Sequence, residues 1–245
     1  MVQISSPSES SQSRSSQAES SRASFSRARS TGAKNTSTSK ASRKQLEILE
    51  GASRVFRDQG LHATGMRDIA KECGMQVGNL YYYFRNKQDL LAFCQSHTLD
   101  GLLELTRKVT NTPLRSDTQL YLIILGHVLR LNEETPGSLA HLEIEALDSN
   151  IRQPILRQRD RYESAIRSIV EAGISDGVFR ATDPKVASMA LLGAVNWTVK
   201  WFQPKGAKSC KEIGLQFADL LVSGLLAAGQ QLHRPDENQL ELVSN

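Results

Sequence analysis

The feature that most restricts the fold is a set of three closely spaced helical segments between residues 43 and 84. The first and longest reads RKQLEILEGASRVFRDQG, carries apolar residues at helical spacing and ends at Gly60. The second reads GMRDIAKEC, with Thr64 as its predicted N-cap. Only a short turn at Gly74 separates it from the third, VGNLYYYF. Two short helices joined by a glycine-containing turn, after a longer helix, predict a helix-turn-helix.

The remainder of the chain predicts more helices and no strands, so we expect an all-α fold. Asn86 is the predicted N-cap of a helix from Lys87 to Val109, and Asp89 is placed to reach back to the open amide groups as in a capping box. The alternation of polar and apolar residues that is typical of strands is absent from the sequence. Five further helices are predicted at about residues 117–132, 137–148, 151–174, 184–202 and 209–228.

The two ends of the chain differ in composition from the middle. Residues 1–42 are rich in serine and arginine and contain a single aromatic residue, Phe25. Such a segment buries too little apolar surface to offset the entropy of ordering, so we expect it to be disordered. A solubilising leader is favoured over a basic arm that follows nucleic-acid phosphates, because the charge is dilute. Residues 231–245 are predicted to form a loose tail.

Composition and motifs exclude several classes of protein. No apolar run is long enough to span a membrane, and the N-terminus lacks the apolar core of a signal peptide, so we expect a soluble, cytoplasmic protein without a membrane partner. Cys73, Cys94 and Cys210 lack the spacing of a metal site. The sequence also lacks nucleophile-elbow, zinc-protease and phosphate-loop motifs. We therefore expect neither an enzyme nor a bound cofactor or metal.

The third helical segment contains three consecutive tyrosines. Helical geometry gives this segment one apolar stripe, which packs on neighbouring helices and consists of Val77, Leu80 and Phe84. Tyr82 is expected to pack against the first helix. Tyr81 and Tyr83 are expected to enter the major groove of DNA, where a tyrosine hydroxyl can bond a phosphate and a ring edge can contact a thymine methyl. Simple coverage of the core is the alternative for these two rings.

Three other residues near the tyrosines favour contact with DNA. Asn79 lies near the start of the helix, and its amide can both donate to and accept from a base edge. Gly78 lets the backbone approach the DNA closely. Lys87 begins the next helix, where its ammonium and the helix dipole can act together on a phosphate.

The segment RKQLEILEGASRVFRDQGLHATGMRDIAKECGMQVGNLYYYFRNKQDLL resembles the N-terminal DNA-binding domain of TetR-type transcriptional repressors. The resemblance implies a DNA-binding domain at 43–90, a ligand-binding and dimerisation domain at 91–230, and a homodimer on a near-palindromic double-stranded DNA operator. Gln76 departs from the family pattern, in which Ser or Thr caps the recognition helix and contacts DNA. The DNA-binding residues expected by position and pattern are Thr64, Arg67, Gln76, Gly78, Asn79, Tyr81, Tyr83 and Lys87.

Two strongly apolar segments near the C-terminus are predicted to form the dimer interface. They read DPKVASMALLGAVNWTVKWFQPKG and SCKEIGLQFADLLVSGLL, and the apolar stripe of the second is too wide for a helix packed on one side only. The resemblance implies a four-helix interface between two copies, and an ordinary core within one chain is the alternative. The expected interface residues are Leu192, Val195, Phe217, Leu220, Leu221 and Gly224.

The segment that holds Asn196, Trp197, Trp201 and Phe202, together with EAGISDGVFRATDP, is similar to TetR-type regulators that sense acyl-CoA thioesters, which implies a small-molecule inducer of that class. Such a sensor needs an apolar tunnel and cationic groups for phosphates. The arginine-rich segment IRQPILRQRDRYESAIR supplies the cations, although a solvated helix face is the more usual role of such a run. The expected ligand-binding residues are His127, His141, Glu145, Arg159, Tyr162, Asn196, Trp197 and Trp201.

The sequence therefore favours a repressor that a small molecule releases from its operator. A helical dimeric binding protein or small-molecule carrier without a DNA-binding role is the alternative. The run of tyrosines argues against that alternative.

Overall fold

The computed structural model describes residues 32–134 and 144–243. Within these ranges every regular element is a helix, apart from one isolated bridge between Phe179 and Leu226, so the predicted all-α fold is confirmed. None of the described helices is long and apolar enough to cross a membrane. The helices are α1 (Gly32–Gln59), α2 (Met66–Glu72), α3 (Val77–Tyr83), α4 (Lys87–Thr110), α5 (Ser116–Leu129), a π-helical turn (Arg130–Glu134), a 3-10 turn (Ile144–Ala146), α6 (Ser149–Ser175), α7 (Pro184–Trp201), α8 (Cys210–Ser223), α9 (Glu237–Leu240) and a 3-10 turn (Glu241–Val243).

Helices α1 to α3 form the predicted helix-turn-helix around a small apolar core. Gly60 ends α1 and Gly74 makes the turn between α2 and α3, and both have the positive φ angles that glycine adopts without strain. Helix α1 begins at Gly32 rather than near Arg43, and residues 1–31 of the predicted disordered tail lie outside the described residues. The fully buried side chains of this core include Ile48, Ala52, Phe56, Ile69 and Leu80.

The predicted cap of α2 is wrong by one residue. Gly65 is the N-cap, and its amide donates to the carboxylate of Asp68 at 2.8 Å. Thr64 instead donates its hydroxyl to the carbonyl of Gly60 at 2.8 Å. Asn86 caps α4 as predicted, because its side chain accepts from the amide of Asp89. The carboxylate of Asp89 bonds Arg85 rather than a backbone amide.

The C-terminal half is a helical bundle with α5 at its centre. Helix α5 reads SDTQLYLIILGHVL and is buried on nearly every side by α4, α6, α7 and α8, as expected for a helix that is apolar all round. Gly214 lets α8 approach α5 closely, since a Cβ there would lie 2.8 Å from Leu125. Of the predicted helix at 137–148, the structure describes only the 3-10 turn from Ile144, and residues 135–143 lie outside the described residues.

The predicted loose tail at 231–245 is wrong for the residues that the structure describes. The amide of His233 donates to the buried carboxylate of Asp117, and the carbonyl of His233 accepts from the hydroxyl of Thr118. Burial alone would raise the pKa of Asp117, but hydrogen bonds from Arg115 and from backbone amides outweigh it and lower the pKa. Val243 is buried against Gly126 near the C-terminal end of α5. These contacts fix the segment to the bundle.

Candidate functional site

Helix α3 carries an exposed face of polar and aromatic residues opposite its buried stripe. Gly78 and Asn79 are exposed, and Tyr81 is 48% exposed. Leu80 and Phe84 are buried on the other side as predicted. A groove of about 550 Å³ runs beside this face and is lined in part by Lys44, Gln76, Asn79, Tyr82 and Tyr83. The face is therefore held by a rigid core and is open to a partner.

The prediction exchanged the roles of two tyrosines. Tyr82, expected to pack against the first helix, is 83% exposed. Tyr83 is half-buried, packs on the core of the helix-turn-helix, and meets Tyr82 edge to face with ring centroids 5.1 Å apart. The reason is helical geometry, because Tyr82 lies four residues after Gly78 and three after Asn79 and so shares their outer face.

Two predicted DNA contacts, Thr64 and Lys87, instead make hydrogen bonds within or to the loop between α1 and α2. The hydroxyl of Thr64 is bonded to Gly60 and its side chain is buried, so it has no surface to offer DNA. The ammonium of Lys87 donates to the carbonyl of Thr64 at 2.7 Å and to the carbonyl of Leu61. Partial burial lowers the pKa of Lys87. These bonds tie the loop to the start of α4.

Two other predicted contacts keep the exposure that binding requires. Arg67 is exposed on α2 and has no ion-pair partner within the described ranges. Gln76 is exposed at the N-cap of α3 and makes no capping bond with its side chain, as the sequence indicated for a glutamine at this position.

A buried hydrogen-bonded network joins three of the predicted ligand-binding residues. The hydroxyl of Tyr162 lies 2.9 Å from Nδ1 of His127, and Oδ1 of Asn196 lies 3.0 Å from Nε2. Because Oδ1 can only accept, His127 carries its proton on Nε2 and accepts from Tyr162 at Nδ1. Burial lowers the pKa of His127 to about 4, although the Asn196 bond opposes the shift. Burial also raises the pKa of Tyr162.

A second buried polar contact lies one helical turn away on α6. Nη2 of Arg159 donates to Oε1 of Gln95 on α4 at 3.2 Å, and burial lowers the pKa of Arg159. Gln95 is only 1% exposed and was not predicted. No local sequence signal identifies it, because its burial depends on the packing of α4 on α6.

Two of the remaining predicted ligand residues are not part of this network. Glu145 is exposed and pairs with Arg152 at the surface. His141 lies outside the described residues. Of the arginine run of α6, Arg157 and Arg161 are exposed to solvent, and the other members are partly buried. Only Arg159 of this run extends into the α4–α6 contact.

The two tryptophans lie on the outside of the bundle, where Trp201 lines a surface groove together with Phe217 and Leu220. Trp197 is 61% exposed, and Trp201 is 44% exposed and stacks near Phe217 with centroids 6.0 Å apart. Both belong to an outer apolar face, whose most exposed members are Val186, Met189, Trp197, Trp201 and Leu220. Met189, Gly193, Trp197 and Trp201 follow one another at intervals of four residues, so they lie on one side of the helix. This spacing in the sequence was enough to place both tryptophans on the outer apolar face.

The predicted interface residues divide between this outer apolar face and the core. Leu220 is 74% exposed and Gly224 is exposed. Val195 is buried within the bundle, so its assignment to the interface is wrong, because it lies on the opposite side of α7 from Trp197. The predicted residues that are partly buried are Leu192, Phe217 and Leu221.

Comparison with known proteins assigns the chain to a family. Residues 48–93 match the family model of bacterial regulatory proteins of the tetR family, and residues 114–225 match the tetracyclin repressor-like C-terminal domain. The TetR family transcriptional regulator PfmR from Thermus thermophilus is 30% identical, with a TM-score of 0.67 over 74% of this chain and 99% of that chain. The chain belongs to the TetR family. It is therefore a transcriptional regulator and not an enzyme.

Two further proteins are similar over most of their length. The HTH-type transcriptional repressor KstR2 of Rhodococcus jostii is 24% identical over 197 residues, which cover 77% of this chain and 94% of that protein. AibR, whose structure was solved in complex with isovaleryl coenzyme A and operator DNA, is 26% identical, with a TM-score of 0.64 over 74% of this chain and 97% of AibR.

Proposed function

We propose that this TetR protein is a cytoplasmic repressor that binds its operator as a homodimer and is released by an acyl-CoA thioester. The observation that carries the proposal is the exposed face of α3, which the buried side chains of Leu80 and Phe84 hold in place. An α-helix of this kind fits the major groove of B-form DNA.

The exposed side chains divide into two roles at the operator. Arg67 on α2 and Tyr81 and Tyr82 on α3 are exposed and carry polar groups, suited to bonds with phosphate oxygens that fix the position of the protein. Asn79 is suited to reading a base edge, and an asparagine amide pairs best with adenine. Gly78 leaves room for the backbone to approach the groove, since nothing lies within 4 Å of its missing Cβ.

The outer apolar face favours a dimer built on α7 and α8. Leu220 and Trp197 expose large apolar side chains that water solvates poorly, and such a patch marks an interaction surface. A two-fold interface would use the same face twice, so one helix pair from each copy would complete a four-helix contact. That arrangement would set two copies of α3 on one face of the operator.

The buried polar groups of the bundle favour a ligand with polar atoms near an apolar chain. Tyr162 and Asn196 orient His127 in an otherwise apolar interior, where a few fixed polar groups give a site its specificity. AibR, whose structure contains isovaleryl coenzyme A, supports an acyl-CoA as the ligand class. Binding would lower operator affinity by a coupling free energy of about 1–3 kcal/mol.

The direct test is a gel-shift assay with DNA from upstream of the gene and its neighbours. The proposal expects a specific complex of one dimer per site, weakened by salt, that dissociates when an acyl-CoA is added but not when free CoA is added. Absence of specific binding to any of these fragments would favour the carrier alternative. Binding that no acyl-CoA affects would remove the ligand class and leave the repressor role.

Replacing Asn79 with alanine should relax base preference. The wild-type protein should lose about 1–3 kcal/mol of binding free energy when the base pair that Asn79 reads is changed, and the variant should not. Competition between operator fragments that differ at single positions measures this difference. An unchanged preference at every position would remove Asn79 from the base-reading set. Gln153→Ala, at an exposed position on α6, is the matched control.

Replacing Lys87 with methionine should weaken operator binding without changing its dependence on salt. The ammonium bonds two loop carbonyls, so its loss should lower the free energy of unfolding by about 1–3 kcal/mol and displace α2 relative to α4. Arg67→Gln is the contrasting variant, because the loss of a phosphate contact lowers the slope of log affinity against log salt by about 1. The Lys87 variant could instead show a lower slope of log affinity against log salt and an unchanged free energy of unfolding. That result would mean that Lys87 contacts a phosphate.

A further inference from the structure

The side-chain amide of Gln95 has an unsatisfied donor deep inside the protein. Gln95 is 1% exposed on α4, and its Nε2 has no hydrogen-bond partner among the residues that the structure describes. A buried amide donor without a partner destabilises the folded state, because it has lost its hydrogen bond to water and gained none in return. Native proteins leave few such groups, so each one calls for a reason. A ligand that supplies the missing acceptor is such a reason.

The orientation of this amide is fixed by its neighbour on α6. Nη2 of Arg159 approaches Oε1 of Gln95 at 3.2 Å. A guanidinium only donates hydrogen bonds, so the amide oxygen must face Arg159. The amide NH₂ therefore points away from Arg159, and rotating it by 180° would set donor against donor. Arg159 thus holds Gln95 in the one orientation that presents a donor.

The site lies beside the network that contains His127. Arg159 and Tyr162 are one turn apart on α6, and the hydroxyl of Tyr162 is committed to His127. Thr98, on the next turn of α4 after Gln95, is also satisfied, because its hydroxyl donates to the carbonyl of Cys94. The Gln95 amide, by contrast with these two hydroxyls, keeps a donor for another molecule.

We propose that the Gln95 amide donates to the thioester carbonyl oxygen of the bound acyl-CoA, with Arg159 as the residue that positions the amide. This inference rests on the acyl-CoA ligand of the proposed function and names the contact that reads the thioester itself. The acceptor must be an uncharged or anionic oxygen, since Nε2 can only donate. A thioester carbonyl and the carboxylate of a free fatty acid both provide one. The thioester is favoured because the proposed inducer carries it between an apolar chain and a polar nucleotide.

The test compares ligands that differ only at the carbonyl. Saturated acyl-CoA thioesters from isovaleryl to palmitoyl are titrated into the full-length protein by calorimetry. The tightest is then compared with its thioether analogue, in which CH₂ replaces the carbonyl, and with the free acid. Wild-type protein should bind the thioester about tenfold more tightly than the thioether, as expected for one buried hydrogen bond.

Two variants at Gln95 and one control complete the experiment. Gln95→Leu removes the donor, and Gln95→Glu keeps an acceptor for Arg159 while removing the donor. Both should bind thioester and thioether about equally. Thr98→Val removes a buried hydroxyl that is already satisfied, and it should keep the wild-type preference. A thermal unfolding transition close to that of the wild type verifies that each variant is folded.

The outcomes separate this inference from the function on which it rests. Equal binding of thioester and thioether by the wild type would overturn the Gln95 contact and leave the acyl-CoA class standing. A preference for the thioester over the thioether that persists in both Gln95 variants would also overturn the Gln95 contact. Tighter binding of the free acid than of the thioester would overturn the thioester assignment. Failure of every CoA compound to bind an operator-competent protein would overturn the ligand class and this contact together.

Discussion

Replacing Leu220 with glutamate should convert the dimer into monomers and abolish tight operator binding. Leu220 is 74% exposed within one subunit, so the change should not disturb the fold of that subunit. Because a two-fold interface uses the same residue of both subunits, the substitution buries two carboxylates, one from each copy. Each buried charge without a partner costs several kcal/mol, which raises the dimer dissociation constant by at least about 100-fold.

Sedimentation velocity at several protein concentrations measures this change, and a gel shift on the operator measures its consequence. A monomer presents one recognition helix instead of two, so it loses the gain in affinity that linked binding provides. Gln153→Glu, an exposed position on α6, adds the same charge away from the outer apolar face and should leave both measurements unchanged. A dimeric Leu220→Glu variant would show that the subunits associate through another surface.

The helix-turn-helix could be predicted from the sequence because its signals are local. Gly60 and Gly74 adopt the positive φ angles that only a turn requires, and the helical stripe through Leu80 and Phe84 sets which side of α3 is buried. The same geometry places Tyr82 opposite the stripe, so its exposure could have been predicted as well. Tyr81 and Tyr83 flank the edges of the stripe, and only the packing of α3 on its neighbours decides how far each of these two rings is buried.

Features that depend on contacts between distant segments could not be predicted. Lys87 has the sequence position of a phosphate contact, and its ammonium instead meets loop carbonyls more than twenty residues earlier in the chain. The C-terminal segment looks polar and unstructured, yet His233 meets the buried Asp117. Long-range hydrogen bonds of this kind leave no periodic pattern in a sequence.

The sequence singled out the three residues of the buried polar network for a physical reason. His127, Tyr162 and Asn196 are polar residues within strongly apolar helices, and such residues must find partners when the helices pack. Trp197 was expected in a ligand pocket and is 61% exposed, because a large aromatic residue suits a pocket and an outer apolar face equally well. Gln95 was missed, since neither its neighbours in sequence nor its spacing distinguishes it from a surface glutamine.

Acidification below pH 6.5 should destabilise the protein, chiefly through His127. The histidine is neutral in the folded state, where burial lowers its pKa to about 4, whereas in the unfolded chain it titrates near 6.5. Between these values the unfolded state binds one more proton, so stability rises with pH. The contribution is complete above pH 6.5 and is lost progressively as pH falls to about 4, by about 3 kcal/mol in total.

Denaturant unfolding between pH 4.5 and 7.5 measures this loss, and His127→Gln isolates it. Glutamine can bond Tyr162 and Asn196 without titrating, so its free energy of unfolding should vary much less between pH 5 and 6.5 than that of the wild type. Burial also lowers the pKa of His97, which adds a change of the same sign that both proteins share. The carboxylates of Asp117 and Glu163 have lowered pKa values and withdraw their stabilisation only at more acidic pH. If the free energy of unfolding varied with pH in the same way for wild type and His127→Gln, His127 would not be held neutral in this network.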